Sequence, residues 1–319
     1  MRLATYLQAG QERLGAVDGN GYVDLNRAYA ALRRSQGADA GQAAAEADAL
    51  VPADVLRFLA LGAPAVDAAR AAVAHVSGID VDAARADLLA VAAREVTLLP
   101  PVPRPPKIIC VARNYAEHAR EAGLEISPIP IVFARFAETL VADGGAVVRP
   151  TVSEQLDWEG ELAIVIGKGG RHIQREEAMD HVAGYSIFND VTVRDFQFRV
   201  TQYTSGKNFS ASGPFGPHLV LADEVADPHA LEIRTEVGGV LKQTGNTSDM
   251  IYDIPTIIEH ISEWITLEPG DVIPTGTPAG VGFKRNPPEF LRAGDTVSVT
   301  VEGLGTLTNP VVAEAETAA

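Results

Sequence analysis

The chain has 319 residues, a length that suits about two domains and a sizeable buried core. Apolar residues make up 46% and charged residues 21%, an ordinary globular composition, and Lys+Arg 26 against Asp+Glu 42 leaves a formal charge of −16. A field of that sign repels phosphate backbones and anionic membrane surfaces, which argues against nucleic-acid and membrane partners. The single cysteine, Cys110, excludes a disulfide framework and a thiolate metal cage. The first residues lack the charged-then-apolar run of a signal peptide, and no apolar stretch nears the ~20 residues that span a bilayer. The expectation is a soluble, acidic, cytoplasmic protein.

In chain order, residues 2–7 and 12–17 read as a short hairpin about a Gln-Ala-Gly-Gln turn. From Leu25 to about Ala93 the chain is Ala-rich and helical, with breaks at Gly37, Pro52, Gly62-Ala63-Pro64 and Gly78. Five prolines within residues 98–107 forbid helix and interior strand, so an extended connector is expected there. The predicted organisation is a small N-terminal domain (1–100), a Pro-rich linker (101–107), a larger domain (108–312) and a flexible tail (313–319). The larger domain shows short β-rich runs at Ile108–Val111, Ile131–Ala134, Glu161–Ile166, Ala183–Phe188, Leu219–Leu221 and Val297–Val301. Gly238-Gly239 between Leu231–Val237 and Val240–Gln243 signals a hairpin, because two glycines supply the positive φ of a tight turn. One segment is strongly helical, Asp253–Thr266, where Ile254, Ile257, Ile258, Ile261 and Ile265 form a single apolar stripe and Asp253 is placed to cap. The fold class expected is α+β, mainly β.

Several chemistries are absent. There is no Gly-x-Ser-x-Gly elbow, Asn208 follows Gly206-Lys207 where a phosphate loop needs a hydroxyl, and the histidines lack zinc-ligand spacing. Cys110 lies in an apolar run and reads as a buried strand residue.

The informative stretch is Asp157-Trp158-Glu159-Gly160-Glu161 followed by an apolar run. On a strand, Glu159 and Glu161 share a face roughly 6.5–7 Å apart, and Leu162, Ile164 and Ile166 take the other. Two acids on one face repel, and burial raises their pKa values unless a cation neutralises them. A third acid, Asp190, stands where a later strand should end. Three carboxylates with no His or Cys make a hard oxygen site for Mg²⁺, Mn²⁺ or Ca²⁺, and the alternative is a strand with one solvated face. Arg194, Gln197 and Lys207 follow and can hold a substrate carboxylate, or they are surface groups. On a helix His118 and Glu121 meet at i, i+3, either as a water-activating base with its orienting acid or as an exposed pair.

Taken in order, these segments resemble the fumarylacetoacetate hydrolase family. The matching residues are Arg113-Asn114-Tyr115, His118 and Glu121; Glu159-Gly160-Glu161-Leu162; Asn189-Asp190, Arg194-Asp195 and Gln197; Gly206-Lys207-Asn208-Phe209; Asp249-Met250-Ile251; and Thr266 through Gly282. The resemblance covers about residues 105–311 and points to the acylpyruvase and 2-hydroxyhepta-2,4-diene-1,7-dioate isomerase branch. It implies a mixed β-roll catalytic domain, usually in a homodimer, with a smaller N-terminal α+β domain. It implies a Mg²⁺ or Mn²⁺ ion, or Ca²⁺, on Glu159, Glu161 and Asp190, with His118, Glu121 and Lys207 catalytic. It implies substrate-side positions at Arg113, Tyr115, Arg135, Arg194, Gln197, Gly276 and Thr277, the last two in a loop whose N–H groups or Thr277 hydroxyl grip a carboxylate. Two departures stand out. Arg135 replaces a lysine common in the family, a planar fork in place of a point charge, and Pro274 stiffens the entry to the pocket loop.

The reaction expected is hydrolysis of a carbon–carbon bond in a small β-diketo or 2-oxo acid, of the acylpyruvate or fumarylpyruvate type. His118 takes a proton from water, and the ion and Lys207 stabilise the departing enolate. The alternatives are decarboxylation of a 2-oxo diacid, or isomerisation or hydration of a hydroxymuconate-type diene, on the same site. Outside enzymes, the alternative is a metal- or acid-binding module with a decayed site.

Overall fold

The computed structural model describes residues 1–117 and 126–316. The expected hairpin forms as β1 (Arg2–Gln8) and β2 (Gln11–Asp18), extended by β3 (Gly21–Asp24) and β4 (Ala90–Ala92). Between β3 and β4 lie five helices: α1 (Leu25–Ser35), α2 (Ala40–Leu50), α3 (Val55–Leu61), α4 (Ala63–Ser77) and α5 (Val81–Ala86). Asp24, Asp39, Asp54 and Asp80 cap four of them, each carboxylate accepting an orphan N–H of the first turn.

The rest of the chain supplies β5 (Ile108–Ala112), β6 (Ile131–Arg135), β7 (Val147–Arg149), β8 (Gly160–Ile166), β9 (Val182–Asn189) and β10 (Gly213–Leu221). It continues with β11 (Glu232–Val237), β12 (Val240–Asn246), helix α6 (Ile254–Trp264), β13 (Val272–Pro274), β14 (Thr296–Val301) and β15 (Gly305–Ala313). The main sheet runs β4-β3-β2-β1-β10-β9-β8-β13-β5-β6, and a second sheet runs β12-β11-β14-β15-β7. The fold is α+β and mainly β, as expected.

The main sheet crosses the proline run without a break. Strand β1 pairs antiparallel with β10, Arg2 opposite Val220 and Leu3 opposite Leu219, so the first hundred residues share one sheet with the rest. They also share a core, in which Leu3, Leu14, Val55 and Phe58 pack with Cys110, Ala163, Val165 and Phe215. At the other end, Ala313 still pairs with Arg149, and Glu314 accepts from the backbone and hydroxyl of Thr151, so order extends past the point where fraying was expected. Among the described residues no helix is long and apolar enough to cross a membrane.

Strand β8 is the centre of the molecule. Leu162, Ile164 and Ile166 pack on one side against Ile254, Ile257, Ile258 and Ile261 of α6 and against the second sheet, while Ala163 and Val165 face the N-terminal layer. Burial on both sides explains its continuous apolar run. Helix α6 is shorter than predicted: Asp253 caps it through Thr256 N–H, and Ile265 already lies beyond its end.

His218 sits where the N-terminal hairpin meets β10, its ring 6.0 Å from that of Tyr22. Burial, with Arg2 nearby, pushes its pKa down from 6.5 to about 4. The folded protein therefore keeps His218 neutral while the unfolded chain protonates. Stability should fall as pH drops from about 6.5 towards 4, by up to roughly 3 kcal/mol, and be fully present above that window. Urea midpoints measured across it should show a slope that His218→Gln flattens; an equal slope in both proteins would refute this.

Candidate active site

The antiparallel register of β8 and β9 sets Gly160 opposite Asn189 and Glu161 opposite Phe188. Glu159 precedes β8 by one residue and Asp190 follows β9 by one, so the acids meet at adjoining strand ends. The ladder closes there: Asp190 N–H donates to the Glu159 carbonyl at 2.8 Å, and Glu159 N–H to Asn189 Oδ1 at 3.0 Å. Gly160 between the two glutamates is a packing requirement, since a Cβ there would stand 2.3 Å from Thr235 Oγ1 and 2.8 Å from Val299 in the second sheet. Glu159, Glu161 and Asp190 each offer a carboxylate oxygen, all within 4.8 Å of one another, and all three residues are buried. The solvated-face alternative is thereby excluded.

Three buried cations surround them. Lys207 Nζ lies 2.7 Å from Glu159 Oε2 and 2.6 Å from Asp190 Oδ2. Arg194 bonds Glu159 Oε1 at 2.6 Å, Asp157 Oδ2 at 2.8 Å and Gln197 Oε1 at 3.0 Å, its Cζ 4.3 Å from the centre of the Phe283 ring. Arg135 bonds Asp190 Oδ1 at 2.5 Å. Burial alone would lower the Lys207 and Arg194 pKa values, but the neighbouring carboxylates outweigh it and hold both above their ordinary range. Burial, followed by the Asp190 and Glu159 charges, pushes Glu161 well above the usual carboxylate range. Its Oε2 accepts the Gly276 N–H at 2.9 Å.

The acids open into a cavity of about 80 Å³ that is also lined by Arg113, Lys207, Arg194, Gln197, Gly276 and Thr277, with Phe133, Phe198, Tyr203 and Phe283 as its aromatic wall. Arg113 stands at φ +57°, its Cζ 6.0 Å from the Tyr203 ring centre. Asn114 fastens this loop, donating to the Tyr252 and Thr275 carbonyls and accepting from Tyr252 N–H.

Some expected substrate contacts have other partners. Arg135 stands behind Asp190, away from the cavity lining, because the carboxylate attracts its fork inward. Tyr115 packs in the core with Leu162 and Ile257. The Thr277 hydroxyl donates to the Gly160 carbonyl at 2.9 Å and accepts from Gln243 at 2.8 Å, and the Gly276 N–H is held by Glu161, so both brace the acidic strand. His118 and Glu121 lie outside the described residues. Asp157, unmarked as a candidate, anchors Arg194 while accepting from Gly282 and Phe283 N–H; those partners lie more than a hundred residues away, so no local spacing announces them.

A model of the fumarylacetoacetate (FAA) hydrolase C-terminal domain matches residues 107–312. The chain belongs to the fumarylacetoacetate hydrolase family. Among family members, human mitochondrial oxaloacetate tautomerase FAHD2A is 43% identical over 267 residues, covering 83% of this chain and 82% of that one. Oxaloacetate tautomerase YisK of Bacillus subtilis is 47% identical over 221 residues, covering 68% and 73%. A fumarylacetoacetate hydrolase from Exiguobacterium antarcticum superposes with TM-score 0.76 at 33% identity, over 98% of this chain and 100% of that one. Maleylpyruvate hydrolase from Sphingobium sp. SYK-6, in complex with manganese(II) and pyruvate, gives 0.73 at 30% identity, over 98% and 99%.

The residues fit the divalent ion the family implies. The donors are hard carboxylate oxygens, and Glu161 has burial and two like charges against it, which a dication relieves. Glu161→Gln should weaken Mn²⁺ binding, read by calorimetry on chelator-stripped protein, by more than about tenfold. Unchanged affinity would refute the assignment. Gly276, at φ +99° with a Cβ position 2.9 Å from that of Asn114, should not accept alanine: Gly276→Ala should cost roughly 1–3 kcal/mol by denaturant titration.

Proposed function

We propose that this family member is a divalent-metal enzyme that interconverts the keto and enol forms of oxaloacetate or a similar 2-oxo diacid. The observation that carries the reading is the pairing of an acidic triad with Arg194, Lys207 and Arg113 around one cavity, a charge pattern suited to an ion and a dianionic substrate together. The names of relatives more than 40% identical over most of the chain support the substrate.

A bound ion would supply a Lewis acid beside the 2-oxo carboxylate group, held by Glu159, Glu161 and Asp190. Lys207, kept charged by its carboxylate neighbours, is a donor to the oxygen on which negative charge develops, and is unsuited to act as a base. Phe133, Phe198, Tyr203 and Phe283 give the cavity an apolar side for the carbon skeleton of the substrate. His118, supported by Glu121, is proposed as the group that moves the C3 proton. A homodimer, on the resemblance already described, and a cytoplasmic location, on the lone Cys110 that suits a reducing compartment, remain part of the proposal.

The second reading is the hydrolase expected from the sequence, favoured by the likeness to maleylpyruvate hydrolase. With Mg²⁺ or Mn²⁺, decay of the ultraviolet band of enol-oxaloacetate and NADH-linked reduction of the keto product report tautomerisation. Pyruvate release from acetylpyruvate reports hydrolysis, and pyruvate release from oxaloacetate reports decarboxylation. Ion-dependent enol decay without pyruvate is expected, and Lys207→Met should slow it about 10²–10³-fold. Pyruvate from acetylpyruvate with enol decay at the buffer rate would install the hydrolase reading instead.

A further inference from the structure

Arg135 carries a charge into a fully buried position, and its partners give that charge a specific task. One nitrogen, Nη1, bonds Asp190 Oδ1 at 2.5 Å and the Val191 carbonyl at 3.3 Å, while Nη2 donates to Ser212 Oγ at 2.7 Å. Ser212 in turn donates to the Phe209 carbonyl at 2.6 Å, within the segment that follows Lys207. The guanidinium also lies over Phe188, its Cζ 5.6 Å from the ring centre, on the strand that delivers Asp190. The fork therefore ties Asp190 to the Lys207 segment from behind, while Asp190 Oδ2 faces Lys207 and, across it, Glu159.

A carboxylate gripped in this way has one oxygen committed to the wall and one turned to the cluster. Calcium takes six to eight oxygens and favours carboxylates that can give both; magnesium-sized ions take six at shorter distance and accept one from each. A planar fork with two fixed directions can hold Oδ1 and Ser212 simultaneously, whereas an ammonium is a point charge without that geometry.

We infer that Arg135 is a positioning residue that limits Asp190 to a single inward oxygen and so sets the site's preference for Mn²⁺ or Mg²⁺ over Ca²⁺. The inference rests on Glu159, Glu161 and Asp190 being the ion site, and it assigns the ion selectivity of that site to a side chain that lies outside the cavity lining.

The test is calorimetric titration of chelator-stripped, full-length protein with Mn²⁺ and separately with Ca²⁺, without substrate. Wild type should bind Mn²⁺ at least about tenfold more tightly than Ca²⁺. Arg135→Met should weaken Mn²⁺ binding by more than about tenfold and shift the Mn²⁺/Ca²⁺ ratio towards calcium by a similar factor. Arg135→Lys should recover Mn²⁺ affinity more fully than it recovers the ratio, because it restores the charge without the fork. Ser212→Ala leaves the charge pair in place and loosens one arm of the fork, and should move the ratio in the same direction by a few-fold. If Arg135→Met does not fold, judged by circular dichroism, the lysine and Ser212 variants decide. A ratio unchanged within about twofold in both of those overturns the role of Arg135 and leaves the ion site standing. Wild type that binds neither ion overturns the ion site itself and this inference with it.

Discussion

The constraint on which the site depends is a shortage of positive charge inside a buried cluster. Asp157, Glu159, Glu161 and Asp190 meet Arg135, Arg194 and Lys207 with little water to screen any of them. Burying a carboxylate without a partner is costly enough that the group keeps its proton instead. Three of the four acids have cationic partners at hydrogen-bond distance. Glu161 has a backbone N–H and two like-charged neighbours. A hard dication completes the balance, and with an ion present the cluster passes to excess positive charge, which an anionic substrate matches.

Such electrostatics suits more than one reaction, and the names of the relatives and structural neighbours range from tautomerases to a maleylpyruvate hydrolase. A 2-oxo acid whose oxygen charge is stabilised can lose a neighbouring proton, release a carbon fragment or accept water at a distal carbonyl. What separates these outcomes is where protons and water gain access to the bound acid.

Much of this was legible from local pattern. Alternation along Glu159–Ile166 placed both glutamates together and the isoleucines opposite; the isoleucine stripe and its capping aspartate gave α6; the paired glycines gave the β11–β12 turn. What escaped depends on distant partners. Arg135 looked like a substrate contact because nothing near it in the chain shows Asp190, 55 residues on, waiting for its fork. The Thr277 hydroxyl looked free because its acceptor, the Gly160 carbonyl, lies 117 residues earlier. Prolines did mark a segment without strand or helix, but a connector in one layer says nothing about a sheet that continues in another: Leu3 finds Leu219 by pairing, not by proximity in sequence.

That pairing has a consequence for how the molecule can be divided. Strand β10 begins beside the Arg135 and Ser212 wall and ends against the amino terminus, where Leu221 N–H reaches the Met1 carbonyl. Severing the chain at its prolines would strip a neighbour from that strand, leaving an open ladder edge and the apolar side of β8 wetted. Such an edge recruits other strands, so the catalytic half made alone would tend to self-associate rather than behave as a portable module. The leading hundred residues thus act as the permanent lid of a β-sheet whose far end carries the chemistry.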